Sequence, residues 1–294
     1  MYSQITANKR KTWVLVTLFS VLIMLIFVGI GAYARLEIVP TLAVGFVFSI
    51  IYSLIAYYVA GNAVLLTHGA KEIDKANAPD LYRMVENLCI TSGQPLPKIY
   101  VIDDPSANAF ASGRDPEHAS VTFTTGILQI LDKQELEGVI AHELSHIKNY
   151  DIRVMTIVVV LVGLIVLLSD IMMRVGLFGN NRKTPWPLII AALILAILSP
   201  LIAQLIRLAV SRSREYLADA SGALTTRHPD ALASALNKLK QSKPLKSANH
   251  ATAHLFISNP FGAKDGGKHS WYKNLFSTHP PIDARIAKLR EMGN

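Results

Sequence analysis

The chain has 294 residues, of which 51% are hydrophobic and only 17% are charged, and its mean hydropathy is +0.34. This composition excludes an ordinary soluble protein of this length and makes membrane insertion the first property to test. The formal net charge of +8 is explained by the orientation of a membrane protein and by contact with anionic lipid. Because no basic stripe with interleaved aromatic residues occurs, we predict no nucleic-acid partner.

Four largely uncharged runs are candidates for crossing a bilayer, which requires about 20 apolar residues in a helix. We predict spans at about residues 13–34, 40–63, 154–176 and 186–206. The first run is too long for a removable signal peptide and lacks a small-residue cleavage site. The fourth run contains Pro200, which a span tolerates when neighbouring groups satisfy the freed carbonyl. The four spans are predicted to form two transmembrane hairpins, at residues 12–66 and 154–206.

Basic residues at the span ends predict the orientation, because they mark the cytoplasmic side of a membrane protein. On this side lie Lys9, Arg10 and Lys11 before the first span, Lys71 and Lys75 after the second, and Arg207, Arg212 and Arg214 after the fourth. Arg182 and Lys183 lie in the loop after the third span, which this orientation places outside the cytoplasm, so these two basic residues argue against it. Both termini are nevertheless predicted to be cytoplasmic, and the single cysteine, Cys89, agrees with a reducing compartment.

Two polar segments remain, at residues 67–150 and 207–294, and together they are long enough for one domain. In the first segment we predict a helix that begins at Pro79. The stretches KIYVIDD, NAFASG and SVTFTT are predicted as strands. Asp132 followed by Glu135 forms a capping box, which begins the next helix.

The second polar segment is predicted to be mostly helical at its two ends. The stretches RSREYLADASGAL and DALASALNKLKQ have helical patterns, and a last helix runs from about 280 to 292 with an apolar face of Ile282, Ile286 and Leu289. Residues 242–277 are expected to be loop, with one short element around HLFIS. The predicted fold class is an α-helical membrane protein with four transmembrane helices and a cytoplasmic α+β domain.

The helix that follows the capping box contains the pattern His-Glu-x-x-His. On a helix, His142 and His146 are one turn apart and face the same way, so both can bind one zinc ion, with Glu143 in reach as a general base. Two histidines on a solvated helix surface are the competing interpretation of this pattern alone.

A third ligand is available in the stretch SREYLADA. Glu215 and Asp219 are four residues apart on one helical face, so the first carboxylate can bind the metal while the second hydrogen-bonds a ligand histidine. Both metal-binding helices are expected to be continuous extensions of the third and fourth spans. The sequence therefore predicts one zinc ion per chain, placed close to the membrane surface.

The motifs HELSH, SRSREYLADA, NAF and STHPP occur in this order, with apolar hairpins before and between them. In this respect the whole chain resembles the bacterial HtpX-type membrane endopeptidases, which are related to the CAAX prenyl proteases and have a gluzincin core. The resemblance implies that His142, His146 and Glu215 bind zinc, that Glu143 is the general base, and that Asp219 orients His142.

The resemblance also implies roles for three residues outside the ligand set. Asn108 and Ala109 in NAFASG would bind substrate backbone as an added strand, although a turn asparagine explains Asn108 equally well. His279 in STHPP would stabilise the oxyanion, and its competing interpretation is a histidine at a helix start. His250 and His254 are also four residues apart, but no carboxylate pattern accompanies them, so a second metal site is not favoured.

The predicted function is that of a zinc endopeptidase in the bacterial inner membrane, with its active site and both termini in the cytoplasm. Its substrates would be membrane proteins or unfolded polypeptides, and the resemblance implies a role in membrane-protein quality control. Two alternatives remain, a CAAX-type processing peptidase and a non-catalytic membrane scaffold with structural zinc. A transporter is disfavoured because the spans contain almost no polar residues.

Overall fold

The computed structural model describes residues 2–33, 35–163, 211–249, 251–262 and 280–293. Most of the predicted third span and the whole fourth span lie outside these ranges. His250 and His279 lie outside them as well.

The described residues are mostly helical, with one small sheet. The helices are α1 (Tyr2–Tyr33), α2 (Ile38–Thr67), α3 (Pro79–Ser92), α4 (Thr125–Ile130), α5 (Lys133–Lys148), α6 (residues 151–163), α7 (Arg212–Thr226), α8 (Pro229–Leu239) and α9 (Ile282–Gly293). The strands are β1 (Lys71–Ile73), β2 (Lys98–Ile102), β3 (Ala109–Gly113) and β4 (Ala119–Thr124). The helices and strands predicted for the polar segments are present, and β1 and α4 are additional to them.

Helices α1 and α2 form an antiparallel apolar hairpin that corresponds to the first two predicted spans. The stretches Gln4–Gly29 and Ile38–Thr67 are each long and apolar enough to cross a bilayer. Most of their large apolar side chains are exposed, as in Trp13 at 65% and Val39 at 73%. Surfaces of this kind are unfavourable in water, and lipid would cover them.

The sheet lies against α5 and has the strand order β1-β2-β4-β3. Strand β4 is parallel to β2 and antiparallel to β3, with Phe110 opposite Thr122 in the second pairing. This order leaves β3 at the edge of the sheet, next to α5. The predicted strand NAFASG is therefore an edge strand.

One hydrophobic core joins the sheet to the helices of both polar segments. It contains Val121 and Phe123 of β4, Val139 and Ile140 of α5, and Leu232 of α8. The close contact between α5 and α7 involves Gly222, whose Cα faces the backbone nitrogen of His142. The two polar segments therefore fold into a single domain, because neither has this core alone.

The expectation that the metal-binding helices continue straight into the membrane spans is wrong. Helix α5 ends at Lys148, and Tyr150 then takes a left-handed backbone conformation with φ of 59° before α6 begins. Helix α7 begins at Arg212, because Ser211 before it is extended, with φ of −98° and ψ of 131°. The turn between α5 and α6 has a structural reason, since it brings Asp151 back to His146.

Candidate metal centre

Three predicted metal ligands converge in the interior of the domain. The Nε2 atoms of His142 and His146 are 3.2 Å apart. The carboxylate of Glu215 lies 3.6 Å from Nε2 of His146 and 3.9 Å from Nε2 of His142. Within the described part of the chain, these residues form the one group of three or more metal-binding side chains close enough to share an ion.

These distances fit a zinc ion. Zinc bound to imidazole nitrogen at about 2.05 Å in tetrahedral geometry separates two ligand atoms by roughly 3.3 Å. The three observed separations, from 3.2 to 3.9 Å, lie close to this value. Two imidazoles and one carboxylate are also the donor set of catalytic zinc sites that leave a fourth position open. The residues present therefore fit the implied metal.

Helices α5 and α7 position these ligands. The capping box of Asp132 and Glu135 fixes the start of α5, because each side chain accepts a hydrogen bond from the other residue's backbone N–H. Glu215 lies in the first turn of α7, where the positive end of the helix dipole favours a carboxylate.

Glu143 lies beside the ligands and beneath β3. Its side chain is buried, and its carboxylate accepts a hydrogen bond from the backbone N–H of Ala111. Burial raises the pKa of Glu143 to about 7, and the nearby charge of Glu215 adds to the rise. A carboxyl group with a pKa near neutrality is suited to accept and return a proton.

Asp219 makes the contact predicted for it, with its Oδ1 atom 3.0 Å from Nδ1 of His142. A carboxylate at Nδ1 fixes the tautomer that leaves Nε2 free for a metal. Burial would raise the pKa of Asp219, but the guanidinium of Arg285 and the bond to His142 lower it to about 2. Asp219 is therefore ionised.

Arg285 on α9 is a buried residue of the candidate site that was not predicted from the sequence. Its Nε and Nη2 atoms donate to the two oxygens of Asp219 at 2.8 and 2.7 Å, and its Nη1 lies 3.4 Å from Glu215. Its side chain is 1% exposed. A sequence signal existed, because Arg285 lies between Ile282 and Ile286 on the predicted apolar face of the last helix, where a charged residue requires a buried partner.

Asp151, at the start of α6, is a carboxylate beside His146 that was not predicted from the sequence. Its Oδ2 atom lies 3.1 Å from Nδ1 of His146, so each ligand histidine contacts its own aspartate. Arg214 lies 3.3 Å from the other oxygen of Asp151. Burial opposes the charged form of His146, but the hydrogen bond to Asp151 and the charge of Glu215 raise its pKa to about 9.

Asn108 and Ala109 lie at the start of the edge strand β3, but residues 257 and 258 occupy polar groups of both. The Asn108 side chain donates to the backbone oxygen of Ser258 at 3.0 Å and accepts from its N–H at 3.3 Å. The carbonyl of Ala109 accepts from the N–H of Ile257 at 2.9 Å, and Phe110 forms a β-bridge with Phe256. We call residues 256–258 the edge segment. Substrate binding by Asn108 and Ala109 remains a prediction.

His254 lies away from the metal ligands. It is the first residue of the predicted short element HLFIS and lies in a 3-10 turn at Ala253–Leu255, where its Nε2 contacts the carbonyl of Met155 at 3.0 Å. Among the described residues it belongs to no group that could share a metal ion. The role predicted for His279 stays a prediction, since that residue lies outside the described ranges.

Comparisons with known proteins agree with this geometry. Residues 75–293 match the model described as Peptidase family M48. The chain is 45% identical over 303 residues to a protease HtpX homolog of Tropheryma whipplei (strain TW08/27), an alignment that covers 100% of this chain and 99% of that protein. It is 47% identical over 295 residues to a protease HtpX homolog of Dictyoglomus thermophilum, with coverage of 99% and 95%.

A solved structure with a similar fold is that of S. mikatae Ste24p. The TM-score is 0.53 at 21% sequence identity, and the alignment covers 98% of this chain and 67% of that one. The residues matched by the family model include the three candidate metal ligands and begin after the two N-terminal apolar helices.

Proposed function

The chain belongs to peptidase family M48 and is a membrane zinc endopeptidase of the HtpX type, and we propose that His142, His146 and Glu215 hold its one zinc ion. We propose further that it hydrolyses peptide bonds in cytoplasmic regions of membrane proteins. The observation that carries the first proposal is the convergence of three buried ligand atoms beside a buried glutamate.

The roles of the side chains follow from their positions. Zinc, when bound, supplies a Lewis acid next to the scissile carbonyl. Glu143 accepts the proton of the attacking water and returns it to the leaving amine, which suits a carboxyl group whose pKa burial raises to about 7. Asp219 and Asp151 hold the Nδ1 atoms of the two histidines, so that both Nε2 atoms face the metal. His279 is proposed to stabilise the oxyanion.

We propose that substrate binds as an extended strand along the outer edge of β3. The edge position of β3 and its N–H contact with Glu143 support this geometry, because a strand added there lies beside the general base. At Ala109 the added strand would replace the edge segment, whose Ile257 N–H now occupies the carbonyl. Asn108 would then exchange its bonds to Ser258 for bonds to substrate.

The proposed location is the bacterial inner membrane, with four spans and with the metal centre and both termini in the cytoplasm. The two apolar helices α1 and α2 support membrane insertion. The basic residues at the span ends support the orientation. A protease in this position would act on membrane proteins and unfolded polypeptides, as membrane-protein quality control requires.

A proteolysis assay tests the peptidase proposal. The full chain, purified in detergent, should cleave an unfolded protein such as casein, lose this activity with a zinc chelator, and regain it with added zinc. Glu143→Gln is the matched control, because it removes the base and leaves all three ligands in place. We expect it to keep one zinc per chain and to lose about 10²–10⁴-fold in rate, the usual contribution of a general base. Activity in Glu143→Gln close to that of the unsubstituted protein would refute the role of Glu143.

The same assay separates the two alternatives. A structural zinc in a non-catalytic scaffold needs four protein ligands, whereas the group within the described residues has three. A scaffold would bind zinc and cleave nothing. A CAAX-type peptidase would cleave a prenylated C-terminal peptide much faster than casein, and we expect no such preference.

A further inference from the structure

Asn8, in the first apolar helix, reaches the metal centre. Its side chain is 1% exposed although it lies on a helix whose surface is largely apolar. Its Nδ2 atom donates to Oδ1 of Asp151 at 2.7 Å and to the backbone oxygen of Asn149 at 2.7 Å. An amide in this setting contributes to the protein chiefly through its hydrogen bonds.

The two contacts of Asn8 fix the turn that carries Asp151. Asn149 and Tyr150 form the turn between α5 and α6, and Tyr150 has the left-handed backbone conformation. One amide, that of Asn8, bonds both the carbonyl of Asn149 and the carboxylate of Asp151. It therefore fixes the position of the start of α6 relative to the end of α5. The second oxygen of Asp151 is thereby directed at Nδ1 of His146.

The packing of α1 against α6 does not by itself require a buried asparagine at this position. Leu15 and Phe19 of α1 already belong to the same apolar cluster as Val154, Met155 and Val158 of α6. A buried amide costs free energy unless its polar atoms are satisfied. The Nδ2 donor of Asn8 is satisfied by the carboxylate that contacts His146, whereas its Oδ1 has no partner among the described residues. The region matched by the family model begins at residue 75, so Asn8 lies outside it.

We propose that Asn8 is a positioning residue of the metal centre. It holds Asp151, and Asp151 holds His146 in the tautomer and orientation that bind zinc. The first apolar helix is then part of the metal site, and a displacement of α1 from α6 lowers the affinity for zinc. This inference rests on the proposal that His146 binds zinc.

Zinc affinity of the purified full chain tests the inference without reference to peptidase activity. Competition with a chromophoric chelator would be measured for Asn8→Ala, for Asp151→Ala and for the double variant. Gln4→Ala is the matched control, because it removes an exposed side-chain amide one turn earlier on the same helix. Circular dichroism identifies any variant that does not fold, and Asp151→Ser would replace Asp151→Ala in that case.

We expect Asp151→Ala to weaken zinc binding by about 10–100-fold, the usual effect of removing a group that orients a ligand. Asn8→Ala should weaken it by a smaller factor, because Arg214 still contacts Asp151. In the Asp151→Ala background, Asn8→Ala should have no further effect. The visible absorption of bound Co²⁺ should change in both single variants and stay unchanged in Gln4→Ala.

Three results would overturn the inference. The first is an Asn8→Ala variant with the zinc affinity and Co²⁺ spectrum of the unsubstituted protein. The second is an equal loss in Gln4→Ala. The third is a full additional effect of Asn8→Ala in the Asp151→Ala background, which would assign Asn8 to helix packing. A protein that binds no zinc at any concentration would instead refute the proposed function.

Discussion

At the scale of single residues, the metal centre is an arrangement of buried charges around Arg285. Its guanidinium binds Asp219 through two parallel hydrogen bonds and contacts Glu215, so one cation offsets two carboxylates. A planar fork suits this task because it matches the two oxygens of a carboxylate. Burial of isolated charges would be costly, and the pairing explains why Asp219 remains ionised.

Arg285→Met should be strongly destabilising, because it leaves Asp219 and Glu215 buried without their cation. Removing one partner of a buried ion pair costs about 3–5 kcal/mol. The free energy of unfolding, measured with denaturant on the metal-free protein, should fall by an amount of this order. Arg290→Met on the same helix is the control, since Arg290 is exposed. A loss within 0.5 kcal/mol for Arg285→Met, about the range of a surface substitution, would contradict the role given to Arg285.

Residue types and spacing were sufficient to predict which three side chains converge, and insufficient to predict the residues that support them. His142 and His146 were predicted because they repeat at the helical period within one motif. Arg285 meets Asp219 across 66 residues, and Asn8 meets Asp151 across 143. Contacts between residues so far apart in the chain depend on how the helices pack. The spacing of residue types in one sequence does not predict that packing.

At the scale of elements, the geometry of the metal centre depends on how closely α5 and α7 approach. At Gly222, an added Cβ atom would lie 3.1 Å from the backbone nitrogen of His142 and 3.4 Å from the carbonyl carbon of Ala141. The small residue lets α7 lie directly against α5. Glu215, two turns earlier on α7, is thereby brought to the two histidines.

Gly222→Val should separate the two helices and weaken zinc binding. Excess volume in a packed interior costs about 1–3 kcal/mol, and the displacement should move Glu215 away from Nε2 of both histidines. The measurements are the free energy of unfolding and the zinc dissociation constant. Leu224→Val places the same residue on the same helix at a position that is 72% exposed, and it should leave zinc binding unchanged. Equal zinc affinity in both variants would show that this contact does not set the geometry.

The elements that the sequence did not predict are short or interrupt a continuous pattern. Strand β1 has three residues and α4 has six, so neither shows a clear period. The break between α5 and α6 occurs in the stretch HIKNYDIRVM, where polar and apolar residues remain compatible with one long helix. The turn forms because buried hydrogen bonds to Asn149 and Asp151 favour it, and two of those bonds come from Asn8, more than 140 residues away in the chain.

At the scale of the whole molecule, the hairpin of α1 and α2 is attached to the protease domain at both ends. Asn8 near the start of α1 contacts Asp151. His68, which follows α2, lies 2.9 Å from the hydroxyls of Ser247 and Thr252, just before the edge segment. The apolar hairpin therefore contacts both the metal centre and the segment that covers β3.

Reporter fusions test the proposed topology of the whole chain. We expect a reporter to be outside the cytoplasm when fused at residue 37 or 181 and inside it when fused at residue 75 or 250. The physical reason is the excess of basic residues at the span ends next to residues 75 and 250. An externally active reporter at residue 250 would contradict both the topology and the cytoplasmic location of the metal centre.

The position of the metal centre near the membrane leads to a prediction about substrates. From His146 to Val154, where the third span is predicted to begin, is a path of eight residues, at most about 12 Å of helical rise. The turn at Tyr150 breaks the helix but the path stays short, so the zinc is proposed to lie within roughly 10–20 Å of the membrane surface. Chain segments that emerge from the bilayer nearby would reach the β3 edge at a raised local concentration.

We therefore expect a membrane-tethered substrate to be cleaved faster than the same sequence free in solution. The enzyme would be reconstituted in liposomes with one extended cleavage sequence, either free or joined to a transmembrane helix by linkers of increasing length. An extended residue spans about 3.3–3.6 Å, so cleavage should rise once the linker exceeds about six residues and can cross 20 Å. It should then fall slowly as longer linkers dilute the sequence. Glu143→Gln in the same liposomes measures the background. Equal rates for free and tethered forms, or rates that ignore linker length, would show that proximity to the membrane does not select the substrate.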